Sequence, residues 1–389
     1  MTRQTAAHSE LVGAASALAP LIAEHADVAE RDRRVAAPVV DALASAGVFH
    51  MFVPHKFGGS EAEPATGVRA LEELSKADGS TGWVAMIGAT TGVVSAYLPE
   101  DVAREVYRPS AITGGVVAPR GTAVATDGGY NVTGRWPFAS GCEHSQWLAC
   151  GCLVHVGGEL ERLPGGDPDV RMVMFPASEV EIIDTWHVSG LRGTGSHDIA
   201  VNDFFVPRDY SYSIARGRPV QPGPLYGFSM MGLLAVCVAA VALGIGRAAL
   251  DEMREMSPKK TPVGRRKPLS EWSVAQVALA EGEASLRSGR AFLFDAVADT
   301  WATLERGDQP TTEQRALARL AATQAVQGAV RAVDIAYNLG GGSSIYESSR
   351  LQRQFRDIHT LTQHVMVGPS SMEAAGRALL GQDVPPGFL

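Results

Sequence analysis

The chain has 389 residues, enough for two or three domains with ordinary cores. Hydrophobic residues at 46% and charged residues at 20% match ordinary globular usage, which excludes a disordered chain and a disulfide-stapled miniprotein. With 34 Lys and Arg against 42 Asp and Glu, the net charge of -8 has the wrong sign for a nucleic-acid partner.

Four cysteines are too few for a secreted framework, and the N-terminus MTRQTAAHSE lacks the apolar core of a signal peptide, so a cytoplasmic protein is expected. Residues 1–112 carry Ala-, Leu- and Val-rich helical patterns with short breaks and predict an N-terminal helical domain. Residues 113–215 change to short Val, Ile, Phe, Trp and Tyr runs cut by Gly, Pro, Asn and Asp, which predicts a β domain, a small barrel or a sandwich.

Helical texture returns over 216–389, read as a C-terminal domain of the four-helix-bundle type, so the fold class is α+β. From Phe228 to Gly246 no residue is charged, a run long enough to cross a bilayer. Its Ala and Gly content and the lack of flanking aromatic or cationic belts point instead to a helix buried in the bundle, and no membrane partner is expected. Two long helices follow. One begins after Pro268 and runs towards Arg306, and the other opens on a Thr311–Gln314 capping box and closes at Gly340. Helices of that length suit an antiparallel bundle that also builds a homo-oligomer, a tetramer or a dimer.

Several motifs compete for attention. Gly244-Ile245-Gly246-Arg247-Ala248-Ala249 matches a dinucleotide fingerprint, but the apolar run before it is too long for a strand, so a continuous helix is expected. Cys142, His144, Cys150 and Cys152 lack the spacing of a zinc site, and Cys150 and Cys152 fall on one face of a strand, so no metal is expected. His359 and His364 lie about 140° apart around a helix and cannot form a helical metal pair. Gly340, Gly341 and Gly342 either stop a helix or bring backbone close to a phosphate, with Arg265, Arg266 and Lys267 as candidate cations or as a solvated loop. Ser140, in WPFASG, reads on spacing alone as a serine at a strand end.

Taken in order, these landmarks resemble the acyl-CoA dehydrogenase superfamily from end to end. Phe138-Ala139-Ser140 stands where that family has a Trp-Ile-Ser/Thr step against the flavin ring, and Leu191-Arg192-Gly193-Thr194 resembles its L-R-G-S/T step. Lys267-Pro268-Leu269 looks like the family's long-helix start, and Arg356-Asp357 resembles the Arg-Asp pair after the glycine-rich turn. The resemblance implies flavin contacts from Phe138, Ala139, Ser140, Arg265, Arg266, Gly340, Gly341, Gly342 and Arg356.

The departures narrow the branch. A dehydrogenase takes the substrate's α-proton with a carboxylate, yet Ile358–Ser371 and Tyr210–Leu250, which span both family positions for that base, contain no Asp or Glu. The R-x-x-F-G contact to a flavin diphosphate is also missing, which leans towards FMN over FAD, and His364 stands beside the empty slot. This pattern looks like the two-component flavin-dependent monooxygenases, which receive reduced FMN or FAD from a separate reductase and hydroxylate small aromatics of the phenol or indole type. The implied chemistry joins O2 to reduced flavin as a C4a-hydroperoxide, held through Ser140, with His364 deprotonating the substrate. Trp83, His144 and His359 are the implied substrate contacts. A dehydrogenase or oxidase with a displaced base, an N- or S-oxygenase, and a scaffold without flavin are the alternatives.

Overall fold

The computed structural model describes residues 3–214 and 216–384. Six helices come first: α1 Arg3–Ala17, α2 Ala19–Asp32, α3 Ala37–Ser45, α4 Pro64–Ala77, α5 Gly79–Thr91 and α6 Glu100–Val106. Prolines open α2, α3 and α4, where a first-turn residue has no hydrogen bond to lose. Asp78 caps α5, its carboxylate accepting the Thr81 N–H at 2.7 Å and the Thr81 hydroxyl at 2.8 Å.

The sheet follows: β1 Thr113–Thr126, β2 Gly129–Trp136, β3 Trp147–Val156, β4 Glu159–Leu160, β5 Val170–Pro176, β6 Glu181–Ile183, β7 Asp198–Pro207 and β8 Ser211–Ser213. Its order is β6-β7-β2-β1-β3-β5-β8, with β4 on β3, and only β1 and β3 run parallel. The expected β domain is present as one eight-stranded sheet that curls on itself. The curl is tight enough to bring Phe175 of β5 within 5.7 Å of Phe204 of β7, ring centre to ring centre, although three strands lie between them. Alternation sorts the two faces. Leu148, Cys150, Cys152, Val173 and Phe175 enter the inner core with Trp136, while Ala149, Met172, Met174 and Tyr212 pack on Val102, Val106 and Tyr107 at α6.

The last part holds α7 Met230–Met256, α8 Ser273–Glu305, α9 Thr312–Gly340, α10 Arg350–Leu361 and α11 Pro369–Leu379. The uncharged run lies in α7, which is mostly buried among α4, α9 and α10. Gly244 and Gly246 are packing notches in it: a Cβ would come within 2.5 Å of the Glu72 carbonyl at the first and 3.1 Å of Ala329 at the second. Both halves of the expected α9 capping box form, Gln314 N–H to Thr311 Oγ1 at 3.1 Å and Thr311 N–H to Gln314 Oε1 at 2.9 Å. The α8 helix starts at Ser273, one short turn later than Pro268 suggests, because Leu269–Glu271 forms a 3-10 turn first.

One junction ties all three parts. The Asp357 carboxylate on α10 accepts the Leu191 N–H at 2.6 Å, and a Cβ at Gly190 would lie 2.1 Å from the Arg356 carbonyl. Asp78 comes close enough for its charge to act on Asp357, and burial with that like charge pushes the Asp357 carboxyl up to about 8.

Candidate functional site

Two loops at one end of the sheet are laced together. The first follows β2 and holds Phe138, Ala139 and Ser140; the second precedes β7 and runs from Leu191 to His197. The Ala139 N–H donates to the His197 carbonyl at 3.0 Å, and the Gly141 N–H to the Thr194 carbonyl at 2.9 Å. Phe138 and Leu191 both adopt left-handed backbone, φ 65° and 51°, which is strained for such side chains and common at functional sites. Ala139 is fully buried, whereas the Phe138 ring is 67% exposed and braced edge-on by Trp186 at 6.1 Å.

Hydroxyl groups continue the lacing. Ser140 Oγ receives the Trp83 indole N–H at 3.0 Å and lies 2.6 Å from Ser196 Oγ. Ser196 Oγ lies 2.7 Å from Thr194 Oγ1, which donates to the Leu191 carbonyl at 2.8 Å. Trp83 is presented by α5, whose glycines let it pack closely: a Cβ at Gly82 would strike Ser75 Oγ, and one at Gly88 would lie 2.4 Å from Phe49. The same indole meets His364 edge-on at 5.3 Å. Trp83 therefore bridges the two residues that the family resemblance makes catalytic.

His364, the expected base, is held by its surroundings in one form. Its Nδ1 accepts the Met366 N–H at 3.4 Å, which leaves the ring hydrogen of the neutral tautomer on Nε2. Burial first, and then the nearby Arg319 cation, pull its pKa down to about 4, so the imidazole is neutral at ordinary pH. In that form Nε2 carries a hydrogen that it can donate. Arg319 itself is 2% exposed and bonds to Ser371 Oγ at 2.7 Å, Met366 Sδ at 3.0 Å and the Met231 carbonyl at 3.4 Å. Among the described residues no carboxylate pairs with it, and burial pulls its pKa down to about 10. Arg319 and Ser196 carry no motif signal, and only contacts made by the fold single them out.

The other expected residues lie elsewhere or do other work. His144 ends the short turn after Ser140, and burial with the Arg34 charge pulls its pKa down to about 4. His359 bonds Asp334 at 2.9 Å and lies 4.4 Å from the Phe355 ring, tilted 58° to it, on the α9–α10 seam. Arg356 is committed to Glu30 Oε1 at 2.7 Å, Gln352 Oε1 at 2.7 Å and the Ser189 carbonyl, so within one chain it is a strut between domains rather than a free cation. Gly340 ends α9 buried and Gly341 and Gly342 follow it exposed, the turn being held by Lys260 Nζ on the Gly340 carbonyl and on Ser343 Oγ at 2.8 Å. Arg265, on the same loop as Lys260, lies 4.6 Å over the Trp272 ring, and Arg266 is exposed beside it. From Arg319 to Gly340 the α9 axis rises about 30 Å at roughly 1.5 Å per residue. Within one chain, Gly340 thus stands about 30 Å along α9 from Arg319, the cation beside His364.

Cys150 and Cys152 share the inner core of the sheet, and burial pushes the Cys152 thiol up to about 12. All four cysteines are buried and unpaired. Among the described residues no group of His, Cys, Asp and Glu is placed to hold a metal ion.

Comparison with known proteins agrees with this layout. Residues 6–113 match the acyl-CoA dehydrogenase N-terminal domain, and residues 236–369 match the acyl-CoA dehydrogenase C-terminal domain. Indole-3-acetate monooxygenase of Pseudomonas putida is 33% identical over 362 residues, 92% of this chain and 91% of the relative. The oxygenase component of the FADH(2)-dependent resorcinol hydroxylase of Rhizobium sp. (strain MTP-10005) is 32% identical, covering 97% of this chain and 96% of its own. Among solved structures, XiaF from Streptomyces sp. in complex with FADH2 and glycerol superposes with a TM-score of 0.91 at 26% identity, over 98% of each chain. The chain belongs to the acyl-CoA dehydrogenase superfamily, among the oxygenase components of the reduced-flavin-dependent monooxygenases.

Proposed function

We propose that this oxygenase hydroxylates a small aromatic of the phenol or indole type, using reduced FMN or FAD supplied by a separate reductase. The observation that carries the reading is the Ser140–Trp83–His364 cluster, joined by one hydrogen bond and one edge-on ring contact, with no carboxylate at either family position for a dehydrogenase base. When bound, reduced flavin supplies the two electrons that let one atom of O2 enter the substrate while the other leaves as water. The residues suit that partner. Ser140 offers a buried hydroxyl oxygen towards the ring, and the exposed Phe138 gives an apolar edge on which a flat ring can rest.

His364 takes the role of orienting donor. Its Nε2 hydrogen bonds a substrate oxygen, and Trp83 confines the aromatic ring beside it. The indole-3-acetate and resorcinol relatives support an electron-rich aromatic as the substrate class. The length of α9 between Arg319, beside His364, and Gly340 supports a homo-oligomer in which Gly340–Gly342 of one copy faces the flavin of another. The buried, unpaired cysteines accord with a reducing, cytoplasmic setting.

The test is kinetic. The variant H364A should lose hydroxylation at least tenfold while binding reduced flavin as before, and H364Q, which keeps a donor, should recover part of it. Unchanged turnover in H364A removes His364 from the reaction. Equal loss in both variants, with a rate that rises through a titration near neutral pH, restores the base role.

A further inference from the structure

The hydroxyl chain behind Ser140 has a direction. Trp83 Nε1 can only donate, and the Leu191 carbonyl at the other end can only accept. Between them stand three hydroxyl groups, each with one hydrogen, at 2.6 Å and 2.7 Å from one another, and Ser140, Ser196 and Thr194 are all buried to 5% exposure or less. Only one arrangement fills every contact: Trp83 to Ser140, Ser140 to Ser196, Ser196 to Thr194, Thr194 to Leu191. If Ser140 turned its hydrogen outward, Ser196 would turn back towards it, Thr194 would turn towards Ser196, and the Leu191 carbonyl would lose its hydroxyl donor and keep the Trp186 indole N–H at 3.0 Å and the Thr194 N–H at 3.2 Å, so that one contact of the chain goes unmade. Ser140 is thus left with one unused lone pair and no hydrogen to offer.

We infer that Ser196 and Thr194 are positioning residues that fix the polarity of the Ser140 hydroxyl, so that the site favours a ring nitrogen bearing hydrogen over one bearing a lone pair. The inference rests on the flavin reading above. Reduced flavin carries a hydrogen on N5 and oxidised flavin does not, so a fixed acceptor at Ser140 discriminates between the two forms of the same molecule. Such discrimination costs the wrong form an unmade hydrogen bond in a buried place, a factor of about ten. A device of this kind lets the protein take the reduced form from solution and release the spent one.

The experiment is an anaerobic titration of the full-length protein with reduced and with oxidised FMN, repeated with FAD, for wild type, S140A, S196A, T194V and T194S. In S196A the Ser140 hydrogen is released and can point at oxidised N5, so the preference for reduced flavin should fall about tenfold, mainly by tighter binding of the oxidised form. The potential of the bound flavin should fall by about 30 mV as the same change read independently. T194V should shift in the same sense and carries the test if S196A does not fold, while T194S, which keeps the hydroxyl, should match wild type. Equal weakening of both flavin forms in S196A and T194V, or an unchanged ratio, overturns the relay while leaving the flavin site intact. Failure of wild type to bind either form, or binding indifferent to S140A, overturns the flavin reading and the relay with it.

Discussion

His364 shows how surroundings decide what a side chain does. The same imidazole that serves as a base in water is here a neutral donor, because burial and Arg319 disfavour its charged form and Met366 occupies Nδ1. The depressed pKa also has a sign in stability. Between about 6.5 and about 4 the unfolded chain holds a proton on this group that the folded chain lacks. The contribution is therefore complete above about 6.5 and is lost as pH falls towards about 4, and H364Q should flatten that part of a melting-temperature profile. R319M should raise the His364 pKa, visible in the imidazole NMR titration, without lowering the melting temperature. Ser371 keeps the Met366 carbonyl at 3.0 Å as a partner, and a buried cation without a counter-charge stabilises little. An unmoved His364 pKa would show that the Arg319 charge does not reach it.

Among elements, legibility followed locality. The α9 helix carries its own start and stop in neighbouring residues, Thr311 with Gln314 and Gly340, and both ends fall where the sequence puts them. The α7 helix was equally plain, since an uncharged Ala-rich run leaves few alternatives. The sheet was legible as β from its short apolar runs, while its strand order and curl rest on which strands pair and on how the side chains between them pack. Gly121 opposes Gly134 across β1 and β2, and the space they leave is filled by Trp136, whose N–H reaches the Gly151 carbonyl at 2.7 Å. A Cβ at Gly134 would lie 2.6 Å from that indole. G134A should therefore destabilise by ~1–3 kcal/mol and shift the Trp136 fluorescence, whereas G376A, on the open face of α11, should be neutral or stabilise by ~0.5–1 kcal/mol. Similar losses in both variants would contradict the packing argument.

For the whole molecule, the site exists because three parts meet. Trp83 and Ser140 are 57 residues apart and Leu191 and Asp357 are 166 apart, and no pattern within either segment announces the partner. Family resemblance singled out Ser140, Trp83 and His364 as candidates, and the fold brings the three side chains together; the resemblance could not show the hydroxyl chain, the His364 tautomer or the engagement of Arg356 by Glu30, since each depends on packing between parts. The junction makes a prediction of its own. With its carboxyl pushed up to about 8 by burial and Asp78, folded Asp357 holds a proton that the unfolded chain releases near 4. Stability from this group is full below about 4 and is lost as pH rises through about 8. D357N keeps an oxygen for the Leu191 N–H and should hold its melting temperature between pH 6 and 9 where wild type declines; parallel curves would show that the carboxyl does not titrate there.

The central claim, that the Ser140–Trp83–His364 cluster makes this chain a reduced-flavin oxygenase, is tested most directly by one measurement. The protein is mixed anaerobically with reduced FMN, and separately with reduced FAD, then exposed rapidly to oxygen while the absorbance spectrum is recorded. A long-lived oxygenated-flavin band with one of the two, shortened in S140A, is the expected result. Immediate return to oxidised flavin, at the rate seen in buffer alone, would contradict it.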